Sequence, residues 1–175
     1  LVNCITRLYR ADAGELVFAG RDLARMSPAE AARAGIARTF QNIQLVDGMS
    51  ALDNVAVARA GAERVGLARA LTGRPDDGLA AAQAHAMHLL AELGVADVAM
   101  RPCGGLAYGI KRRVEIARAL AMQPRLLLLD EPAAGLNTAE QQDLAERIRA
   151  LARGGLTLLV VEHNMPFLMP LAERI

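Results

Sequence analysis

The stretch Leu126-Leu127-Leu128-Leu129-Asp130-Glu131-Pro132 decides how the rest of this sequence is read. Four successive leucines carry no alternation, as expected of a strand buried on both faces of a parallel sheet. Such a strand delivers its last residues to the carboxyl edge, where the ligand sites of α/β sheets lie. Two adjacent carboxylates are costly there unless a cation or a reacting proton uses them. The candidate chemistry of Asp130 and Glu131 is therefore metal binding or proton transfer. An acidic turn closing an ordinary strand is the plain alternative.

Working outward, Leu156-Thr157-Leu158-Leu159-Val160-Val161 reads as a second buried strand. Gly154-Gly155 separates it from a helix over Ala139 to Leu151. Upstream, Ala13 to Gly20 reads as a short strand bounded by glycines. Ser27-Pro28-Ala29-Glu30 is a helix start, with Ser as N-cap, Pro in the first turn and Glu at the capping-box position. That helix is expected to end at Gly35, and Ile36 to Phe40 then forms a strand running into Gln41. Residues from about 50 to 122 read as helical. Ala51 to Ala60 is one helix, and a connection with Gly73, Pro75 and Gly78 follows it. Leu79 to Leu93 is a second helix, with Leu79, Ala82, Ala86, Leu89, Leu90 and Leu93 on one face. Gly104-Gly105 precedes a third, from about Ile110 to Met122. Apolar runs alternating with helices indicate an α/β layer, here interrupted by a mostly helical insertion.

Composition narrows the function. With three Phe, two Tyr and no Trp, the 175 residues offer few rings on which bases could stack. A net charge of +1 gives no electrostatic case for a polyanion, so no nucleic-acid partner is expected. Cys4 and Cys103 lack CxxC spacing and fit buried or incidental thiols in a reducing compartment. No apolar run approaches the roughly 20 residues of a membrane span, so membrane association is expected through a partner. His85, His88 and Glu92 share a helix face, but no further ligand cluster accompanies them, so a solvated face is expected. Met165 and Met169 are expected to pack.

Cys103-Gly104-Gly105-Leu106-Ala107-Tyr108-Gly109-Ile110-Lys111-Arg112-Arg113 opens the third helix. Glycines at a helix start let free N–H groups and the helix dipole approach a phosphate. An ordinary Gly-rich helix entry would look the same if this stretch stood alone. It does not stand alone. Leu106-Ala107-Tyr108-Gly109-Ile110, continuing to Leu120, resembles the signature motif of the ATP-binding-cassette (ABC) ATPases. The spacing to Asp130-Glu131-Pro132 also matches that family. Ala134-Gly135-Leu136-Asn137 resembles its D-loop, Glu162-His163 its switch histidine and Gln41 its Q-loop. A narrower likeness is carried by Arg38-Thr39-Phe40-Gln41, Met49-Ser50, Asp53-Asn54-Val55 and Glu162-His163-Asn164-Met165. These resemble the ATPases of branched-chain amino-acid importers, and the Arg-Thr-Phe-Gln form resembles the G-type subunit.

The resemblance implies an α/β, P-loop NTPase-like core with a mostly parallel sheet. Residues 1–41 and 123–175 would form that core, and residues 42–122 a helical subdomain bearing the signature. It implies ATP and Mg²⁺ as ligands. Gln41 would touch Mg²⁺ or the attacking water, Asp130 would hold Mg²⁺, and Glu131 would be the general base. His163 would contact the γ-phosphate. Leu106, Ala107, Tyr108 and Gly109 would face ATP bound on a second ABC ATPase subunit, and Asn137 would sit between the two subunits. Transmembrane permease subunits, and indirectly a periplasmic substrate-binding protein, are the further partners implied. The subunit would lie peripherally on the cytoplasmic face of a bacterial-type inner membrane.

The sequence departs from the family pattern twice. The Walker A loop, Gly-x-x-x-x-Gly-Lys-Ser/Thr, occurs nowhere in the 175 residues. Family spacing places its end just before Leu1, so Leu1 to Tyr9 are expected to continue its helix and the chain to be part of a longer protein. Little hydrolysis is expected without that phosphate cradle. Ile110 also replaces the usual Gln or Asp after the signature glycine. The rival readings are a soluble cassette ATPase of DNA repair or translation, and a degenerate subunit that does not hydrolyse.

Overall fold

The structure, a computed structural model, describes residues 1–40, 42–62 and 77–173. Gln41, and the connection expected around Gly73 and Pro75, lie outside the described residues. A short helix α1 (Val2–Ile5) leads to a hairpin of β1 (Val17–Phe18) and β2 (Arg21–Asp22). The two strands pair antiparallel across a tight turn at Ala19-Gly20. The single strand expected over Ala13 to Gly20 is thus two short ones, because Gly20 serves the turn rather than bounding an extended run. The helix expected over Leu1 to Tyr9 is confined to Val2–Ile5, where Ile5 is buried, while Leu1 and Leu8 are exposed.

Helix α2 (Pro28–Arg33) starts as its residues predict. The Ser27 hydroxyl accepts from the Glu30 N–H at 3.3 Å, and the Glu30 carboxylate accepts from the Ser27 N–H at 2.8 Å. Strand β3 (Ile36–Arg38) follows, shorter than expected. Then come α3 (Ala51–Ala62), α4 (Asp77–Glu92) and α5 (Tyr108–Ala121), which pack on one another. Ser50 caps α3, its hydroxyl accepting from the Asp53 N–H at 3.0 Å. Asn54 is buried beneath that turn: its amide oxygen accepts from the Val46 N–H, and its NH₂ donates to the carbonyls of Val46 and Ser50. On α4 the expected face is buried from Ala82 onward, but Leu79 is 46% exposed.

The chain closes with β4 (Leu126–Asp130), α6 (Thr138–Arg153), β5 (Thr157–Val161) and the short α7 (Met165–Leu168). Strands β3, β4 and β5 form a parallel sheet in that order. Register sets Arg38 opposite Leu128, and Asp130 opposite Val161. Central β4 is buried through Leu127, Leu128 and Leu129, each contributing on the order of 1.5–3 kcal/mol. Strand β5 is only partly covered, because among the described strands it lies at the sheet edge and pairs with β4 alone. One apolar cluster joins Leu127 and Leu129 to Val55, Leu90 and Ile116, so the sheet and the helices share a core. A smaller cluster packs Ile5, Leu23, Met26 and Ile36 on the other face, against Leu128.

Candidate functional site

The ends of β4 and β5 bring the acidic turn and the histidine together. Asp130 is the last residue of β4, and Glu131 follows with its N–H donating to the Val161 carbonyl at 2.9 Å. Its φ of 46° places Glu131 in the left-handed region, which costs a residue other than glycine on the order of 1–3 kcal/mol. That turn aims its carboxylate along the sheet edge, and Oε1 lies 3.7 Å from His163 Nδ1. The His163 side chain is 77% exposed and that of Glu131 30%, so both are open to a ligand.

Asp130 has a partner of its own. Its Oδ2 accepts from Arg38 Nη2 at 2.7 Å, while Arg38 Nη1 donates to Asn3 Oδ1 at 2.5 Å. In the sequence Arg38 stands out only as part of a family-like string. The parallel register, one strand over, makes it the counter-ion of the candidate metal ligand. Hard cations take oxygen donors, and Mg²⁺ is commonly held by one or two carboxylates with phosphate oxygens and water completing its shell. Adjacent, partly exposed Asp130 and Glu131 fit that donor set. Among the described residues no cluster of three or more His, Cys, Asp or Glu forms a cage.

Glu162 is a site residue with no task evident in the sequence beyond preceding His163. Its Oε1 accepts from the Ala133 N–H at 2.8 Å, and its Oε2 from the N–H groups of His163 and Asn164 at 3.0 and 3.1 Å. One carboxylate thereby ties the turn after Glu131 to the turn that carries His163. Its position at the end of an apolar run, beside a histidine, was the only available signal.

The signature segment and the Ala134–Asn137 loop pack directly on each other. Glycine allows the close approach on both sides. A β-carbon on Gly109 would lie 2.6 Å from Glu140 Oε1, and Gly135, at φ 77°, abuts the Tyr108 ring. Leu106 is buried, whereas Ala107 and Tyr108 are exposed at the start of α5. Asn137, expected between subunits, caps α6: its Oδ1 accepts from the Glu140 N–H at 3.0 Å, and the Glu140 carboxylate accepts from the Asn137 N–H at 3.0 Å. Ile110 is partly buried against the core.

Beneath the signature turn lies a buried ion pair that pattern reading passed over. Arg112 Nη1 donates to Glu115 Oε2 at 2.8 Å, with the two side chains 0% and 1% exposed. Burial pushes the Glu115 carboxyl above the usual carboxylate range, against the opposing pull of Arg112. Burial likewise raises the Cys103 thiol, which accepts from Asn54 Nδ2 at 3.3 Å. His88 pairs with Glu92 at 3.3 Å on an exposed face, as expected, whereas His85 on the same helix is partly buried. Met165 and Met169 are 51% and 56% exposed, so the packing expected for them is not found. They follow the edge strand, where little covers them.

The ABC transporter family model matches residues 1–134. The chain is 37% identical over 176 residues to LivG of Salmonella typhimurium, a high-affinity branched-chain amino acid transport ATP-binding protein, covering 99% of this chain and 69% of that one. BraF of Pseudomonas aeruginosa, described in the same words, is 36% identical with the same coverage. The solved structure of MJ1267, an ATP-binding cassette of an ABC transporter, superposes with a TM-score of 0.78 at 30% identity, over 93% of this chain and 64% of that one. The 175 residues thus span about two thirds of these relatives. No helix among the described residues is long and apolar enough to cross a membrane. With the sheet order, the acidic turn and the signature helix all in place, the chain belongs to the ATP-binding-cassette family of ABC transporters.

Proposed function

We propose that this chain is the ATP-binding and hydrolysing part of a subunit that energises an ABC importer for branched-chain amino acids. The observation that carries the reading is the meeting of Glu131 and His163 at 3.7 Å, beside Asp130 on the carboxyl edge of the sheet. Glu131 takes a proton from the water that attacks the γ-phosphorus, as the bond to the bridging oxygen breaks and ADP leaves. His163, held by the Glu162 brace, keeps that carboxylate and the water in register. Asp130 would hold Mg²⁺, whose charge offsets that of the phosphates. Gln41 senses the same ligands. Ala107 and Tyr108, exposed between buried Leu106 and Gly109, present the signature turn to ATP on a second subunit, and Asn137 joins the contact between subunits.

In this reading residues 1–41 and 123–175 act as the core, and residues 42–122 as the helical subdomain facing the permeases. The subunit works on the cytoplasmic face of the membrane, with a periplasmic binding protein as an indirect partner. The LivG and BraF likeness over nearly the whole chain supports the substrate class. The test is uptake into vesicles that contain the full subunit with its permeases and binding protein. ATP-dependent accumulation of leucine, but not of ribose, is expected. Accumulation of neither overturns the importer assignment, and accumulation of ribose alone overturns the substrate class.

A further inference from the structure

Leu128 and Asp130 are two residues apart on β4, so their side chains leave the same face of the sheet. Arg38 lies opposite Leu128 in the parallel register and shares that face, which packs against Ile5 of α1. Three side chains distant in the chain meet there. Arg38 Nη2 donates to Asp130 Oδ2 at 2.7 Å, and Nη1 donates to Asn3 Oδ1 on α1 at 2.5 Å. The guanidinium also lies 5.3 Å from the centroid of the Phe40 ring. With side chains 12% and 24% exposed, Arg38 and Asp130 are screened by salt less than a surface pair. Among the described residues no acceptor meets the buried Arg38 Nε. The side chain thus gives up one hydrogen bond while both Nη groups reach their anchors.

An ion pair removed from water seldom adds to stability over apolar residues of the same volume. It does fix geometry, because the donors of a guanidinium keep fixed directions in a planar fork. Here the fork is held at one end by α1 and takes one carboxylate oxygen at the other. Asp130 Oδ2 is occupied, whereas Oδ1 accepts from no described residue. Mg²⁺ demands near-ideal octahedral geometry, so the orientation of a ligand oxygen decides how well it binds. We propose that Arg38, anchored by Asn3, is a positioning residue that fixes the Asp130 carboxylate as a one-oxygen ligand for the cation. The register of β3 against β4 and the packing of α1 together set the direction of that carboxylate. The proposal rests on the role given above to Asp130 as the Mg²⁺ ligand.

The experiment uses Mn²⁺ as the probe, followed by electron paramagnetic resonance as it binds the full subunit held in excess over a non-hydrolysable ATP analogue. Binding of the analogue in EDTA, and the thermal midpoint, are measured beside it. In Arg38→Met the Mn²⁺ affinity is expected to fall on the order of 10- to 100-fold, the usual loss when a group orienting a metal ligand is removed. Binding of the metal-free analogue and the thermal midpoint should change little. Arg38→Lys keeps the charge but loses the fork, and Asn3→Ala frees its far end, so both should show a smaller fall in Mn²⁺ affinity. Arg38→Met adds little to Asp130→Asn if it acts through that carboxylate, since residues acting as a unit are non-additive. Wild-type Mn²⁺ affinity in Arg38→Met overturns the proposal, as does an equal loss of metal-free binding, which marks a general structural role. Should Arg38→Met fail to fold, wild-type Mn²⁺ affinity in Arg38→Lys overturns it. Wild-type Mn²⁺ affinity in Asp130→Asn instead sinks the role of Asp130 as metal ligand, on which the proposal stands.

Discussion

A β-carbon on Gly135 would lie 2.9 Å from the Tyr108 ring, so the signature residue and the loop after the acidic turn are fitted to each other without slack. Gly135 also holds φ at 77°, a conformation that other residues adopt only with strain. Gly135→Ala is therefore expected to lower the unfolding free energy by about 1–3 kcal/mol, combining backbone strain with overpacking. Urea denaturation would check this. A change within experimental error would mean that Tyr108 moves aside freely.

Glu131 is the proposed general base. Glu131→Gln keeps the shape and removes the proton acceptor, so hydrolysis in the full subunit should fall about 10²- to 10⁴-fold while ATP still binds. Gel filtration with ATP should then show a retained dimer. Unchanged turnover would remove Glu131 from the mechanism.

Asn137 has an observed task, the cap of α6, and a proposed one between subunits. The two separate by substitution. Asn137→Ala should cost about 1 kcal/mol of stability, whereas Asn137→Ser, another good cap, should cost only a few tenths. If Asn137 also joins the subunit contact, the Ser variant should weaken ATP-dependent dimerisation despite its intact stability. Full dimerisation in that variant would leave Asn137 as a cap alone.

The link between α5 and α6 predicts a pH effect. Hydrogen bonds from Arg147, aided by the charge of Arg113 at 3.0 Å, hold Asp143 below the ordinary aspartate range despite partial burial. A depressed folded-state value means that Asp143 contributes stability above the ordinary aspartate value. That contribution disappears as pH falls through the depressed one. Denaturation midpoints for the wild type and Asp143→Asn should therefore differ at pH 7 and converge as pH falls below the ordinary aspartate range. A constant gap across that range would show that the ion pairs carry none of the difference.

The sequence made some features legible because their determinants are local. Ser27 and Glu30 announce a capping box within four residues. The run Leu126 to Leu129 announces a buried strand, and the signature, acidic turn and histidine appear in order at family spacing. Features that depend on residues distant in the chain were not legible. Arg38 and Asp130 are 92 residues apart and meet only through the β3–β4 register. Arg112 and Glu115 are near neighbours in sequence, but nothing local shows that the chain buries both under Phe40. Leu79, Met165 and Met169 read as core by side-chain type and are exposed, because burial depends on what packs above a residue.

By itself, then, the sequence determined the element types, the family and the chemical inventory of the site, because hydrophobic period, caps and motif spacing act over a few residues. Only the tertiary structure decided which groups face each other: Glu131 with His163, Asp130 with Arg38, and Arg112 with the Phe40 carbonyl. Those pairings follow from strand register and helix packing, which are set by the shared core rather than by any one segment.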